Sequence, residues 1–320
     1  MRRTHAIVAG GAGFIGSHLC RRLLAEGYEV LCVDNLLTGR RQNIAALDSI
    51  GPFRFLVADV TTPVQLTGRA DLVFHLASPA SPADYLRHPL ATLAAGAAGT
   101  HHTLQLAQQK SARYVLASTS EVYGSPQAHP QSEAYWGNVN PVGPRSVYDE
   151  AKRYAEALTT AFGRHTSTSI GIVRIFNTYG PRMRPDDGRA VPTFIRQALA
   201  GAPITVAGDG SQTRSLCYVD DIVSGILAMA ASDRHEPVNL GNPHEITMLE
   251  LAQEIRNLCG STSPIGFGPR PIDDPQRRCP DITTARNELH WAPRVQLHDG
   301  LTRTIRAAEA SDAPHIAAPP

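Results

Sequence analysis

The chain has 320 residues, 42% hydrophobic and 18% charged, enough to bury the core of a nucleotide-binding domain with a smaller companion. Its formal net charge is +1 with both signs interspersed, which argues against nucleic acid or an anionic membrane as a partner. Five cysteines, Cys20, Cys32, Cys217, Cys259 and Cys279, follow no CxxC or zinc-type spacing, so they read as reduced thiols of a cytoplasmic protein, without a disulfide framework or a metal.

Met1, Arg2 and Arg3 precede an apolar stretch in the manner of a short leader, but the glycine-rich run that follows argues against one. No uncharged apolar run reaches the roughly 18 residues that a membrane span needs. Short apolar runs at 5–9, 29–33, 53–57, 72–76, 114–117 and 170–176 alternate with helical patterns, which predicts a doubly wound parallel sheet of the Rossmann type. After Gly180 the texture changes: Pro181, Pro185, Gly188, Pro192, Gly201 and Pro203 interrupt the rhythm, with helices expected at 222–231 and 248–258. This divides the chain into an NAD-binding domain at 1–180, to which 216–243 returns, and a smaller α/β substrate-binding domain at 181–310. The Ala- and Pro-rich tail at 311–320 has too little to bury and is expected to be disordered.

Directly after the first strand, Gly10, Gly13 and Gly16 punctuate the run Gly-Gly-Ala-Gly-Phe-Ile-Gly, and Ile15, Leu19 and Leu23 begin an amphipathic helix. Glycines in a strand-turn-helix context let the backbone approach a pyrophosphate, whose charge the helix N-terminus favours. Phe14 and Ile15 fall within this turn. About twenty residues on, Asp34 ends the second strand, where a carboxylate accepts both ribose hydroxyls and repels a 2'-phosphate, so NAD is preferred over NADP. Arg40 could soften that choice. Asp59 and Val60 close the third strand and could hold the adenine edge, although an aspartate there serves equally well as a helix cap.

Tyr148 and Lys152 stand four apart at the start of a helical pattern, so they share one face. An ammonium beside a phenol favours the phenolate, which makes the pair a candidate base for hydride transfer. Ser118, Thr119, Ser120 and Glu121 end the fifth strand, and open parallel sheets place ligands at such ends.

With these residues in view, the chain resembles the extended short-chain dehydrogenases/reductases and is similar to the UDP-glucuronate decarboxylases (UDP-xylose synthases) from Ala6 to about Leu301. The resemblance is carried by HLASPASPADY (75–85), LASTSEVYG (116–124), HPQSEAYWGNVNPVGPRSVYDEAK (129–152), RIFNTYGPRM (174–183), GDGSQTRSLCYVDD (208–221), VNLGNP (238–243) and DDPQRRCPDI (273–282). It implies bound NAD, with Asn35, Thr38, Gly39, Leu76, Ala77 and Thr92 completing the cofactor's surroundings. It also implies that Thr119 bonds the C4 oxygen, Glu121 positions the sugar ring or moves a proton, and Arg278 handles the carboxylate. Asn177 and Arg214 would meet the diphosphate, Tyr218 the uridine, and Tyr85 the glucuronosyl group unless it only packs. Relatives also pair as homodimers, here through helices at 101–107 and 148–162.

Three positions sharpen the reading. Ser120 stands where the related 4,6-dehydratases carry an aspartic acid, and a hydroxyl is a poor acid for expelling water. Gly96 replaces an asparagine usual in the family, which raises the expectation that some UDP-4-keto-xylose and NADH escape beside UDP-xylose. Cys279 replaces a common lysine and lowers positive charge beside Arg278. His75, and the pair His101 and His102, read as structural. The competing readings are a nucleotide-sugar 4,6-dehydratase or 4-epimerase, disfavoured by Ser120 and by Glu121 with the 273–282 segment, and a non-catalytic NAD-binding sensor, disfavoured by the intact Thr119, Tyr148 and Lys152.

Overall fold

The computed structural model describes residues 3–312. Seven parallel strands form the central sheet: β1 (His5–Ala9), β2 (Glu29–Asp34), β3 (Phe53–Val57), β4 (Leu72–His75), β5 (Arg113–Thr119), β6 (Ile170–Ile175) and β11 (Pro237–Leu240), in the order β11-β6-β5-β4-β1-β2-β3. The apolar runs expected as strands all fall in this sheet. The differences are at the ends: β2 takes in Asp34, β5 extends through Ser118 and Thr119, and β4 and β6 each stop a residue early.

The order reverses between β1 and β4, which opens a crevice at their carboxyl ends. Helix α1 (Phe14–Ala25) follows β1 and buries Leu19 and Leu23 completely, as its apolar spacing requires. The chain then runs through α2 (Pro82–Arg87), α3 (Pro89–Ala94), a π-helical turn at Ala95–Gly99 and α4 (Thr100–Lys110). Helix α5 (Ser146–His165) packs against α3, α4 and that turn. Two cores flank the sheet; one is built around Leu19, Leu23 and Phe74, the other around Val73, Tyr114 and Leu116.

Beyond β6 the segments cross between layers. β7 (Thr178–Tyr179), α6 (Ala190–Leu199), β8 (Ile204–Ala207), β9 (Thr213–Ser215) and β10 (Cys217–Tyr218) lead into α7 (Val219–Ala231), which packs on β5 and β6 before β11 pairs with β6. Helix α7 thus starts three residues before its expected boundary. β12 (Glu245–Thr247), α8 (Met248–Leu258), β13 (Ile265–Gly268), α9 (Thr283–Glu288) and α10 (Leu297–Asp312) follow, with two-stranded pairings β10-β7, β12-β9 and β13-β8. A Thr247–Glu250 capping box starts α8. The segment expected to be disordered from 311 instead begins inside α10, which includes Ser311 and Asp312, and 313–320 lie outside the described residues. All five cysteines are free. Among the described residues no helix is long and apolar enough to cross a membrane.

Candidate active site

One cavity of about 590 Å³ runs from the turn after β1, past the end of β5 and the start of α5, to the loops after β6 and around Arg278. That volume suits a nucleotide-sized ligand. Gly10 lies at φ +81°, and a Cβ there would stand 2.6 Å from the Ala77 amide nitrogen; one on Gly16 would stand 2.1 Å from the Gly10 carbonyl. No side chain fits at either place, so backbone alone lines this end of the cavity beside Phe14, Ile15, Thr38 and Leu76.

Asp34 fixes the turn from below, accepting hydrogen bonds from the Ala12 amide (3.0 Å) and the Leu36 amide (2.8 Å). Burial raises its pKa from the ordinary value, against these bonds. Each oxygen keeps a further lone pair, as a ribose diol needs. Gly39 abuts this carboxylate. The bare backbone cradle, the Asp34 carboxylate and a buried Arg182 Nη1 without a partner together fit a dinucleotide diphosphate and its ribose.

At the end of β5, Lys152 donates to the Ala117 carbonyl (2.8 Å), and its ammonium lies 6.0 Å from the Tyr148 ring centre. Burial lowers Lys152 to about 8, opposed by Glu156. Burial also pushes the Tyr148 phenol well above its ordinary value, offset in part by Arg189 and the Thr119 hydroxyl. Burial therefore opposes the help that an ammonium beside a phenol gives to the phenolate. Tyr85 stacks on Tyr148 with ring centres 5.3 Å apart and planes 6° from parallel.

Glu121 sits in the short 3-10 turn after Thr119, clamped between Arg145 (2.5 Å to Oε2) and Arg278 on Oε1. Burial alone would raise its pKa, but Arg278 and then Arg145 pull it down to about 2. Ser120 lines the cavity alongside. On the far side, Asn177 Nδ2 is buried without a partner, and Arg214 reaches in while bonded to Asp274 (2.7 Å).

The model of the NAD dependent epimerase/dehydratase family matches residues 6–241. The chain belongs to that family. Within it, the chain is 47% identical over 304 residues to UDP-glucuronic acid decarboxylase 1 of Arabidopsis thaliana, covering 95% of this chain and 69% of the relative. It is 48% identical over 304 residues to the protein of the same name from Danio rerio, covering 95% and 72%. Among solved structures it is similar to dTDP-glucose 4,6-dehydratase DesIV of Streptomyces venezuelae with NAD bound, at 29% identity and a TM-score of 0.86, covering 96% of this chain and 97% of the other. A UDP-glucuronic acid 4-epimerase of Bacillus cereus, solved with NAD and a fluorinated UDP-glucuronic acid, aligns at 28% identity and a TM-score of 0.85, covering 96% and 100%.

Against this family frame, several expected site residues lie outside the cavity. Tyr218 is buried edge-on to Tyr179 (5.7 Å) with Arg303 over its ring, so it is core and Leu216 lines the cavity instead. Thr92 is fully buried in α3, donating to the His88 carbonyl. Val60 packs against Gly99, and its carbonyl meets His102 Nδ1 at 3.1 Å. Asp59 lies two residues beyond β3, in the loop, accepting from Thr61 and from Asn35 (2.9 Å). His75, which the sequence reads as structural, is buried, and burial and then Lys152 hold its pKa down to about 3.

Among the cavity residues that escaped the sequence reading are four arginines: Arg145, Arg182, Arg184 and Arg189. Arg182 offered one structural hint, a φ of +70° that an arginine adopts only when its surroundings hold it there. From sequence they are single arginines among Pro, Gly and Asp in loops, a pattern shared by ordinary solvated turns.

Proposed function

We propose that the chain decarboxylates UDP-glucuronate to UDP-xylose, with NAD regenerated in each turnover. The carrying observation is the ionised Glu121 between Arg145 and Arg278, one residue past Ser120 and two past Thr119, facing the Tyr148–Lys152 pair across one cavity. The names of relatives at 47–48% identity over 95% of the chain support it.

NAD, which the glycine turn at Gly10–Gly16 and Asp34 would hold, would supply the hydride acceptor for C4 and the hydride for its re-reduction. Tyr148 accepts the C4 hydroxyl proton, Thr119 bonds the same oxygen, and the Lys152 ammonium offsets the phenolate's charge. The resulting C4 ketone makes the C6 carboxylate that of a β-keto acid. Its C5–C6 bond breaks, carbon dioxide leaves, and the electron pair becomes a C4 enolate. A proton then adds at C5, the ketone is reduced at C4, and Tyr148 returns its proton to oxygen. The net change is UDP-glucuronate plus one proton to UDP-xylose plus carbon dioxide.

Arg145 and Arg278 supply the positive charge that a sugar carboxylate needs, and Glu121 already neutralises part of it, so the bound carboxylate is not over-stabilised. With a pKa of about 2, Glu121 orients ring and water rather than donating the C5 proton. Asn177 and Arg214 serve the diphosphate side. Water loss in the manner of the dehydratases lacks an acid, since that position is Ser120.

Residues 1–180, with 216–243, mainly hold NAD, and the rest of 181–310 mainly the sugar nucleotide, which also meets Thr119, Glu121, Arg145 and Asn177 from the first unit. A homodimer through α4 and α5 is favoured by exposed Leu90, Leu93 and Tyr154 beside these helices. The protein works in the cytoplasm, in keeping with its free cysteines. With UDP-[4-²H]glucuronate, deuterium is expected back on C4 of UDP-xylose. UDP-galacturonate as the labelled product would replace this reading with a 4-epimerase.

A further inference from the structure

We infer that His129, Glu245 and Cys279 form a binding site for a zinc-type divalent cation beside the segment that carries Arg278. The donor atoms of all three lie within 4.8 Å of one another, with His129 Nε2 3.0 Å from a Glu245 oxygen. Imidazole, carboxylate and thiolate are a donor set that selects borderline-soft cations such as Zn²⁺ over Mg²⁺ or Ca²⁺, and water completes four-fold coordination. The spacing 129, 245 and 279 carries no local motif, which is why the sequence gives no sign of it.

Three braced segments bring the ligands together. The Gln131 amide donates to the Cys279 carbonyl (2.8 Å) and the Cys279 amide donates to Gln131 Oε1 (2.9 Å), which locks the His129 and Cys279 segments side by side. Glu245 stands on β12, paired with β9, and accepts from the Thr213 hydroxyl. The site already attracts a cation: Arg277 Nη2 lies 2.7 Å from His129 Nε2 and 3.2 Å from Glu245. The Arg277 side chain is 54% exposed, so it can swing into water when a metal takes its place. Ligation releases the Cys279 proton to solvent.

The test is titration of the metal-stripped, NAD-bound full chain with Co²⁺, read by absorbance and independent of turnover, so it stands apart from the decarboxylase reading. One equivalent is expected to give a thiolate-to-cobalt charge-transfer band with the intense visible bands of four-coordinate cobalt, both bleached by Zn²⁺. Cys279→Ser is expected to lose the charge-transfer band, and His129→Ala to weaken binding by at least about tenfold, the lower end of what losing even an outer support costs a metal site. Arg277→Ala removes the competing cation and is expected to tighten binding. No saturable band in the native chain, or a band that survives in Cys279→Ser, overturns the proposal.

Discussion

Arg145 Nη2 lies 2.5 Å from Glu121 Oε2 while Arg278, 157 positions from Glu121, holds the other oxygen. This double clamp keeps Glu121 ionised down to about pH 2. Its folded pKa lies below the ordinary 4.5, so the clamp contributes stability above pH 4.5 that is lost as pH falls through about 2. Glu121→Gln is expected to cost on the order of 3 kcal/mol at pH 6, because it leaves two buried cations facing a neutral amide. Urea unfolding should show the gap to the native chain narrowing from pH 4.5 downward. Turnover should fall by about 10²-fold, the scale that misplaced reacting groups cost.

Lys152 sets the alkaline side. Burial lowers it from 10.5 to about 8, so the ammonium beside Tyr148 disappears as pH rises through that value. The expected kcat/KM profile declines above about pH 8, and Lys152→Met is expected to be slow and to lack that limb. Stability runs the other way: the unfolded chain holds this proton up to 10.5, so the native chain gains stability between about 8 and 10.5, a gain that Lys152→Met erases.

Gly96 and Ala151 form a tight pair. A Cβ on Gly96 would stand 2.6 Å from the Ala151 carbonyl oxygen and 2.7 Å from its Cβ, one residue before Lys152. Gly96→Asn therefore does more than restore an amide; it pushes α5 outward. The expected loss is about 1–3 kcal/mol, the usual cost of overpacking, with lower turnover from a displaced Lys152. Gly96→Asn combined with Ala151→Gly should recover part of the melting temperature. The ratio of UDP-xylose to UDP-4-keto-xylose in that double variant tests whether the amide governs release of the keto sugar; an unchanged ratio removes that role.

Tyr85 holds the Tyr148 ring by stacking 5.3 Å away. Tyr85→Phe keeps the ring and should retain most activity, while Tyr85→Ala should lower kcat more than it raises KM. The stack itself is worth roughly 0.5–1.5 kcal/mol beyond buried area. Equal losses in the two variants would assign the role to the hydroxyl instead.

How far the sequence reached is visible residue by residue. Gly10, Gly16 and Asp34 were legible because strand, turn and helix are adjacent in sequence and chemistry allows few substitutes. Thr119, Glu121, Tyr148 and Lys152 followed from a strand end and a helical spacing, and the structure gathers them with Arg278 from far along the chain. For Tyr218 the motif gives position along the chain but not the face on which a two-residue strand presents its ring, which packs on Tyr179 and Arg303. Val60 and Thr92 are buried, and the sequence carries no sign of which neighbours they pack on. Arg145, Arg182, Arg184 and Arg189 could not be read, since only folding brings the loop before α5 to the loop between β7 and α6.

The most direct measurement of the central claim is ¹³C NMR of the purified protein with UDP-[6-¹³C]glucuronate and NAD. The account predicts that the label leaves as carbon dioxide and bicarbonate in step with formation of an unlabelled UDP-pentose. Label retained in a UDP-hexuronate while substrate is consumed would contradict it.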